Sequence, residues 1–554
     1  MAGEELLFLP LGGAGEIGMN LNLYGFGPPG KLTWMMVDLG ITFGDGTHPG
    51  VDVILPDPQY IEQHKDDLAG IVLTHAHEDH LGAVPYLWER FGCPIYATPF
   101  TVSIVQRKLA EVDLLDIVPI VEVPLNGTFE VGPFEIDLIT LTHSIPEPNG
   151  MAIRTPLGTV LHTGDWKLDP DPVIGADYDM PALRRLGDEG VLAIVCDSTN
   201  VFTEGTSGSE GDIYESLKQV VEGCTGRVVV TCFASNVARL DTISRVAQAV
   251  GREIVLAGRS FWRMIDAAKE NGYLQDAPRF LDEDYFGDVP DDKVLVICTG
   301  SQGEPRAALS RIAADEHPRI YLGEGDTVIF SSRQIPGNEV SIGRLQNRLV
   351  RRGINVVTDK DHFIHVSGHP ARDELLEMYQ AVQPQISIPV HGEIRHLAEH
   401  AKLARSAQVP EAVVNENGGM IRIAPGPAGV IEQVPSGRLA LEGARVVPLD
   451  GELVRGRVRA LWNGTATITV VIDRVGELMG DPILTTTGLL EPDDHDIEDD
   501  VLDAAEDAIE HLSKKDRRND DVVSEAVRLA VRRFFRSNFN KNAVTTVHLV
   551  RVDG

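Results

Sequence analysis

Ile71-Val-Leu-Thr-His75-Ala-His77-Glu-Asp79-His80-Leu81 decides how this chain is to be read. An apolar run of strand character ends in a turn that packs four potential ligands, His75, His77, Asp79 and His80, into six residues. Nitrogen and carboxylate donors together suit zinc, or manganese where oxygen dominates. A turn there can aim His75 and His77 one way and Asp79 and His80 another, so the spacing points to two neighbouring cations. Four ligands are too few for two closed shells, and further donors are expected at other strand ends. Three candidates follow apolar runs: His143 after Ile136–Thr142, Asp165 after Thr159–Thr163, and His391 after Gln385–Val390. His162 lies close to Asp165, but strand alternation gives it a packed or supporting role.

Around this stretch the composition is that of an ordinary globular protein, with 554 residues, 43% hydrophobic and 24% charged. At ~150 residues per domain this length predicts three or four domains. The start, MAGEELLFLPLGG, carries acids where a secretory signal carries bases, and no apolar run would span a bilayer. A cytoplasmic protein with no membrane partner is expected. Cys93, Cys196, Cys224, Cys232 and Cys298 are odd in number and lack C-x-x-C spacing, which excludes a cysteine zinc site and predicts reduced thiols. The net charge of −34 argues against generic polyanion binding. Much of it comes from Glu491–Glu510, with eleven acids and no Lys or Arg, which reads as a solvated linker entering an acidic helix. Residues 211–369 hold 19 basic and 22 acidic side chains, so the middle of the chain is close to neutral.

Short strands are expected at Leu6–Leu11, Thr33–Asp38, Gly70–Thr74, Ile136–Thr142, Thr159–Thr163 and Val191–Cys196, with a helix over Leu81–Phe91. From Gly211, β-branched runs (Arg227–Cys232, Glu253–Leu256, Lys293–Thr299, Thr327–Phe330) alternate with amphipathic stretches, which predicts a parallel, doubly wound sheet. Strand character returns at Gln385–Val390, then helix at Ile394–Ala407 and strand at Met420–Ala424, so the middle domain is an insertion. Pro425–Pro448 reads as a connector. The last hundred residues read as a small α+β unit, with strands Gly456–Leu461, Thr465–Ile472 and Val544–Val552 and helices Asp499–Leu512 and Val522–Phe535. The expected division is 1–208, an inserted domain 209–370, a return at 371–435, a linker 436–455 and a C-terminal domain 456–554.

These motifs resemble the metallo-β-lactamase fold. Val37-Asp38-Leu-Gly40 is similar to its first motif, the turn His75–His80 to the second, His143 to the third and Asp165 to the fourth. Cys196-Asp197-Ser-Thr-Asn, Ser367-Gly368-His369 and Pro389-Val390-His391 resemble motifs A, B and C of the β-CASP nucleases, in the version with histidine at motif C found in RNA-processing members. Leu11–Gly18, Phe233–Asn236, Thr299–Glu304, Ser331–Asn338 and His365–His369 resemble the ribonuclease J family. The implied fold class is α/β: an αββα metallo-β-lactamase sandwich, an inserted β-CASP parallel α/β domain and a small C-terminal α+β domain.

The resemblance implies two divalent metal ions per chain, zinc or manganese. His75, His77 and His143 would hold one, Asp79, His80 and His391 the other, with Asp165 bridging. Asp79, Asp197 and His369 are the expected catalytic residues, His369 as general acid supported by Asp197. Water acidified by the cations would attack a phosphodiester. Ala234, Ser235, Asn236, Ser331, Ser332, His365, Val366, Ser367, Gly368 and His369 would bind substrate, cradling a 5′-terminal phosphate through hydroxyls and backbone N–H groups. The implied activity is 5′-to-3′ exonuclease action on 5′-monophosphorylated RNA, with endonuclease activity in addition, in RNA maturation and decay. A homodimer or homotetramer through the C-terminal domain and RNA-decay partners are expected. The resemblance also raises an accessory hard-cation site near Asp52 and Asp450, which is not expected here. A small-molecule hydrolase of the same fold is the alternative, disfavoured because such an enzyme needs no lid the size of 209–370. A scaffold without activity is disfavoured because every ligand position is filled.

Overall fold

The structure is a computed structural model that describes residues 3–44, 46–335 and 337–552; Pro336, within the Ser331–Asn338 motif, lies outside the described residues. The chain forms two compact units, Met1–Asp45 with Val53–Val446, and Gly46–Asp52 with Val447–Gly554.

In the first unit two sheets lie face to face. One runs in the order Gly429–Gln433, Gly419–Ala424, Glu5–Gly12, Leu21–Gly27, Thr33–Val37, Leu68–Val72, Ile95–Ala97, Ile120–Glu122. The other runs Thr128–Val131, Phe134–Thr140, Asn149–Thr155, Gly158–His162, Ala193–Asp197, Ile386–Val390, Glu411–Ala412. Between them Phe8, Tyr24, Met35 and Val37 pack against Phe134, Ile136, Ile153, Val195 and Ile388. On the outer faces, Leu9, Met36 and Ile71 meet Phe100, Val105 and Leu109 of helix Pro99–Ala110. Leu161 and Ile194 meet helices Met180–Glu189, Arg372–Val382 and Ile394–Ser406. Because both faces of each sheet are covered, strands such as Glu5–Gly12 are apolar at nearly every position. Each fully buried large apolar side chain contributes ~1.5–3 kcal/mol. This is the helix–sheet–sheet–helix sandwich that the motifs imply.

The insertion carries a six-stranded sheet in the order Phe280–Asp282, Glu253–Ala257, Val294–Cys298, Val228–Thr231, Thr327–Phe330, Asn355–Val357, with every pairing parallel. Val228 and Val230 face helix Val237–Ala249, and Val229 faces helix Glu339–Arg351. Strand alternation thus serves two helical layers at once.

The carboxyl ends of the sandwich's parallel strands build the site, as in open α/β sheets generally. Thr33–Val37 pairs in parallel with Leu68–Val72, and Ala193–Asp197 with both Gly158–His162 and Ile386–Val390. Past these ends come Asp38, His75, Asp165 and His391, and Asp197 closes its own strand. Leu39 N donates to His80 O at 2.7 Å and Ile41 N to Glu78 O at 3.0 Å, stitching the two motif turns together. Gly40 sits so close that a Cβ there would lie 1.7 Å from Asp79 O, so only glycine fits.

Several elements differ from expectation. Leu81–Phe91 is not one helix but the turns Glu78–Leu81, Val84–Leu87 and Trp88–Arg90, because Pro85 starts a new turn instead of continuing the old one. Pro425–Pro448 carries strands Gly429–Gln433, Arg438–Glu442 and Arg445–Pro448, the second paired with Val53–Pro56. Residues 436–455 are therefore not a linker. Gly456–Leu461 is not a strand but part of helix Glu452–Asn463; its Gly-Arg-Val-Arg alternation disguised a segment of helix formers that has no sheet partner. In the C-terminal unit Thr465–Ile472 pairs with Ile483–Thr487 and, in parallel, with Val544–Arg551. One face packs on helices His495–Glu510 and Asp520–Phe539. The acidic segment is thus mostly helix, held by a stripe of Val501, Ala505 and Ile509. No helix among the described residues is long and apolar enough to cross a membrane.

Candidate metal centre

His75 Nε2 lies 3.0 Å and His143 Nε2 3.1 Å from His77 Nδ1. Nitrogens on a tetrahedral zinc are about 3.3 Å apart at ordinary bond lengths, so this trio is spaced to share one cation. Burial holds His75 and His143 well below the usual imidazole range and His77 down to about 4, which keeps all three in the neutral, ligating form. Beside them Asp79 Oδ2 is 3.1 Å from His391 Nε2 and 3.6 Å from His80 Nε2. Asp165 Oδ2 faces both groups, at 3.2 Å from His80 Nε2 and 4.0 and 3.9 Å from His75 and His143 Nε2. These seven side chains form two overlapping donor sets that share Asp165.

The donor chemistry fits divalent cations. Asp165 Oδ1 is buried with no hydrogen-bond partner, His391 Nδ1 lying 3.7 Å away, a costly state for a carboxylate oxygen. Burial opposes charge on His80 and His391, yet Asp165 and Asp79 outweigh it and push both imidazoles well above their usual range. The carboxylates thus favour positive charge here, which a divalent metal would supply.

On three of the rings the other nitrogen is committed. His80 Nδ1 donates to Asp38 Oδ2 at 2.7 Å, and Thr74 N donates to Asp38 Oδ1 at 2.8 Å. His143 Nδ1 donates to Gly368 O. Thr199 Oγ1 donates to Asp197 Oδ1 at 2.6 Å and lies 2.8 Å from His391 Nδ1, so it accepts from that nitrogen. Each contact frees Nε2 for the cation and fixes the ring. Asp38→Asn is expected to weaken metal affinity about 10- to 100-fold with the fold retained, measured by chelator competition and thermal melting. His162 is buried with Nδ1 2.9 Å from the Tyr24 hydroxyl, a packing role rather than a ligand.

His369 Nδ1 lies 2.8 Å from Asp197 Oδ2 and 3.8 Å from Asp165 Oδ2, with the side chain 22% exposed. Burial lowers its pKa, but Asp197 and Asp165 more than compensate, leaving it above the ordinary imidazole value. Its loop is pinned by Asn200 Nδ2, which donates to Ser367 Oγ at 2.7 Å and to His369 O at 3.0 Å. A Cβ on Gly368 would lie 2.7 Å from His143 Cε1, so the loop's approach to the ligand requires glycine.

Among the expected substrate contacts, only some remain available. Ser235 and Ser332 make no side-chain hydrogen bond among the described residues. Ala234 precedes them at the start of helix Val237–Ala249. Asn236 caps that helix, its side chain accepting from Arg239 N at 2.8 Å. Ser331 does not fit its expected role: Oγ donates to Ile364 O at 2.7 Å and accepts from Arg239 Nη1 at 2.8 Å, leaving no donor for a phosphate. Val366 is buried in the apolar core, so only its backbone is on offer. His365 is half-buried beside Arg239. No potential ligand group among the described residues includes Asp52 or Asp450.

Residues 30–191 match the metallo-beta-lactamase superfamily, 225–349 the beta-CASP domain of ribonuclease J, 353–414 the Zn-dependent metallo-hydrolase RNA specificity domain and 453–552 the ribonuclease J C-terminal domain. Ribonuclease J of Sinorhizobium meliloti is 45% identical over 551 residues, covering 99% of this chain and 98% of that protein. The chain belongs to the ribonuclease J family. Ribonuclease J of Mycolicibacterium smegmatis is 38% identical over 547 residues, covering 98% of this chain and 96% of that one. The Corynebacterium glutamicum protein of that name is 38% identical over 540 residues, 96% and 74%. A solved structure from Enterococcus faecalis, of a protein of unknown function, overlays with a TM-score of 0.50 at 16% identity, covering 76% of this chain and 100% of that one, a likeness of fold alone.

This ribonuclease J family member also holds a buried polar chain that the sequence motifs did not point to. Lys167 Nζ lies 2.6 Å from Asp169 Oδ2, and Asp169 accepts from Ser209 Oγ at 2.6 Å and Glu210 N at 2.9 Å. Glu210 then takes Arg239 in a two-pronged ion pair, 2.6 Å from Nε and 2.9 Å from Nη2. The available signal was an arginine inside the apolar run Val237-Ala-Arg-Leu240, where a charge must find a partner.

Proposed function

We propose that this chain is a metal-dependent ribonuclease that removes nucleotides 5′ to 3′ from monophosphorylated RNA, and also cuts internally, in cytoplasmic RNA maturation and decay. One arrangement carries the proposal: a single carboxylate, Asp165, faces both donor sets, with the His369–Asp197 pair 3.8 Å away. Divalent cations, zinc or manganese, supply Lewis acidity when bound, acidifying water and neutralising charge that grows on phosphate oxygens. His75, His77 and His143 would hold one cation, Asp79, His80 and His391 the other, with Asp165 facing both. His369, protonated on Nε2 and steadied through Nδ1 by Asp197, hands its proton to the departing 3′ oxygen. Ser235, Ser332, His365 and the backbone of Val366–Gly368 offer donors to a terminal phosphate. A phosphate held at one distance from the cations sets a step of one nucleotide.

The test compares a 5′-monophosphorylated RNA with its 5′-triphosphorylated and 5′-hydroxyl forms. Release of mononucleotides from the first alone is expected. Equal rates on all three, with only internal fragments, would contradict the exonuclease reading. We also place self-association on the C-terminal unit, where Leu461 and Trp462 expose 65% and 68% of their surface.

A further inference from the structure

Arg239 is the most deeply buried cation among the described residues of the inserted domain, 0% exposed at the foot of helix Val237–Ala249. Nε and Nη2 are spent on Glu210. Nη1 points the other way, 2.8 Å from both Ser331 O and Ser331 Oγ, and 3.3 Å from Ile364 O and from His365 Nδ1. A guanidinium has donors and no acceptor. Facing this donor at 3.3 Å, the ring nitrogen is placed to accept through its lone pair, an arrangement that puts the ring proton on Nε2. The charged groups around His365 come from three elements, Arg239 from its helix, Arg333 after strand Thr327–Phe330 and Lys167 after Gly158–His162. All three are cations, so none favours an imidazolium.

We infer that Arg239, oriented by Glu210, is a positioning residue that locks His365 as an uncharged Nε2–H donor for a substrate phosphate. This rests on the phosphate-cradle reading above and deepens it. Nη1 also spends the Ser331 hydroxyl, so the donors left to the cradle are His365, Ser332, Ser235 and the backbone of Val366–Gly368, and the arginine itself does not touch the ligand. Recognition by a neutral donor needs no proton uptake and does not fade as pH rises through the histidine range.

Two measurements on the full chain test this. Long-range proton–nitrogen NMR of the imidazoles, with His365 assigned by its loss in His365→Gln, reads the tautomer in the unaltered protein. Nε2 protonated and Nδ1 bare from about pH 5 to about pH 8 is the expected result. A proton on Nδ1, or an imidazolium appearing in that range, overturns the inference. The second measurement uses the double variant Arg239→Met with Glu210→Leu, which removes both charges and so avoids stranding one in the interior. KM for monophosphorylated RNA is expected to rise about tenfold with a smaller change in kcat and with full metal content. If the unaltered protein prefers the monophosphate end and the double variant keeps its KM, the inference fails alone. If the unaltered protein shows no such preference, the exonuclease reading fails and takes the role of His365 with it.

Discussion

Asp165→Ala is expected to lose both cations at once and to lower RNA cleavage by more than about 10⁴-fold. The reason is the shared position of one side chain. Asp165 Oδ2 is 3.2 Å from the nearest nitrogen of one donor set and 3.9 Å from that of the other, and Oδ1 is buried without a hydrogen-bond partner. Alanine leaves each set three ligands and removes the negative charge between them. His77→Ala, by contrast, touches one set, so it should lower metal content by one equivalent per chain first. Elemental mass spectrometry of the purified variants, alongside cleavage of labelled RNA, measures both. An Asp165→Ala protein that keeps its full metal content, or cleaves within about tenfold of the unaltered chain, contradicts the bridging role.

His369→Ala should lower kcat about 10²- to 10⁴-fold, the usual worth of a positioned proton donor, without loss of metal. The substrate separates this from a structural effect. A phosphodiester with a p-nitrophenolate leaving group departs without needing a proton, so the variant should act on it at nearly the unaltered rate. Asp197→Asn should fall on the same line, because it removes the carboxylate that holds His369 Nδ1 at 2.8 Å. Equal losses on both substrates would remove His369 from the proton-transfer role.

The convergence of the seven candidate donors was legible because metal chemistry is local. A donor directly after an apolar run stands where a strand ends; parallel pairing with Ala193–Asp197 brings the ends before Asp165 and His391 together, whereas His143 follows a strand paired antiparallel with Asn149–Thr155. The parallel sheet of the insertion was legible for a related reason, since strands covered on both faces read as unbroken β-branched runs. Leu21–Gly27 was missed because its glycines and single asparagine hide a strand buried at every position. Glu452–Asn463 was misread because Arg-Val-Arg alternation fits a strand as well as one turn of a helix. The hydroxyls were the least legible. Ser331, Ser332 and Ser235 look alike in sequence, and only three-dimensional neighbours show that Arg239 and Ile364 O claim the first. Arg239 escaped for the same reason: its partner Glu210 is distant in the chain and belongs to no motif.

Reconstitution tests the central claim most directly. Metal-free protein is titrated with zinc or manganese while cleavage of a monophosphorylated RNA is followed. Activity should stay near background through the first equivalent and reach its plateau at about two per chain, in keeping with one site on each side of Asp165. Full cleavage by metal-free protein, or a plateau at one equivalent, would contradict a two-cation centre.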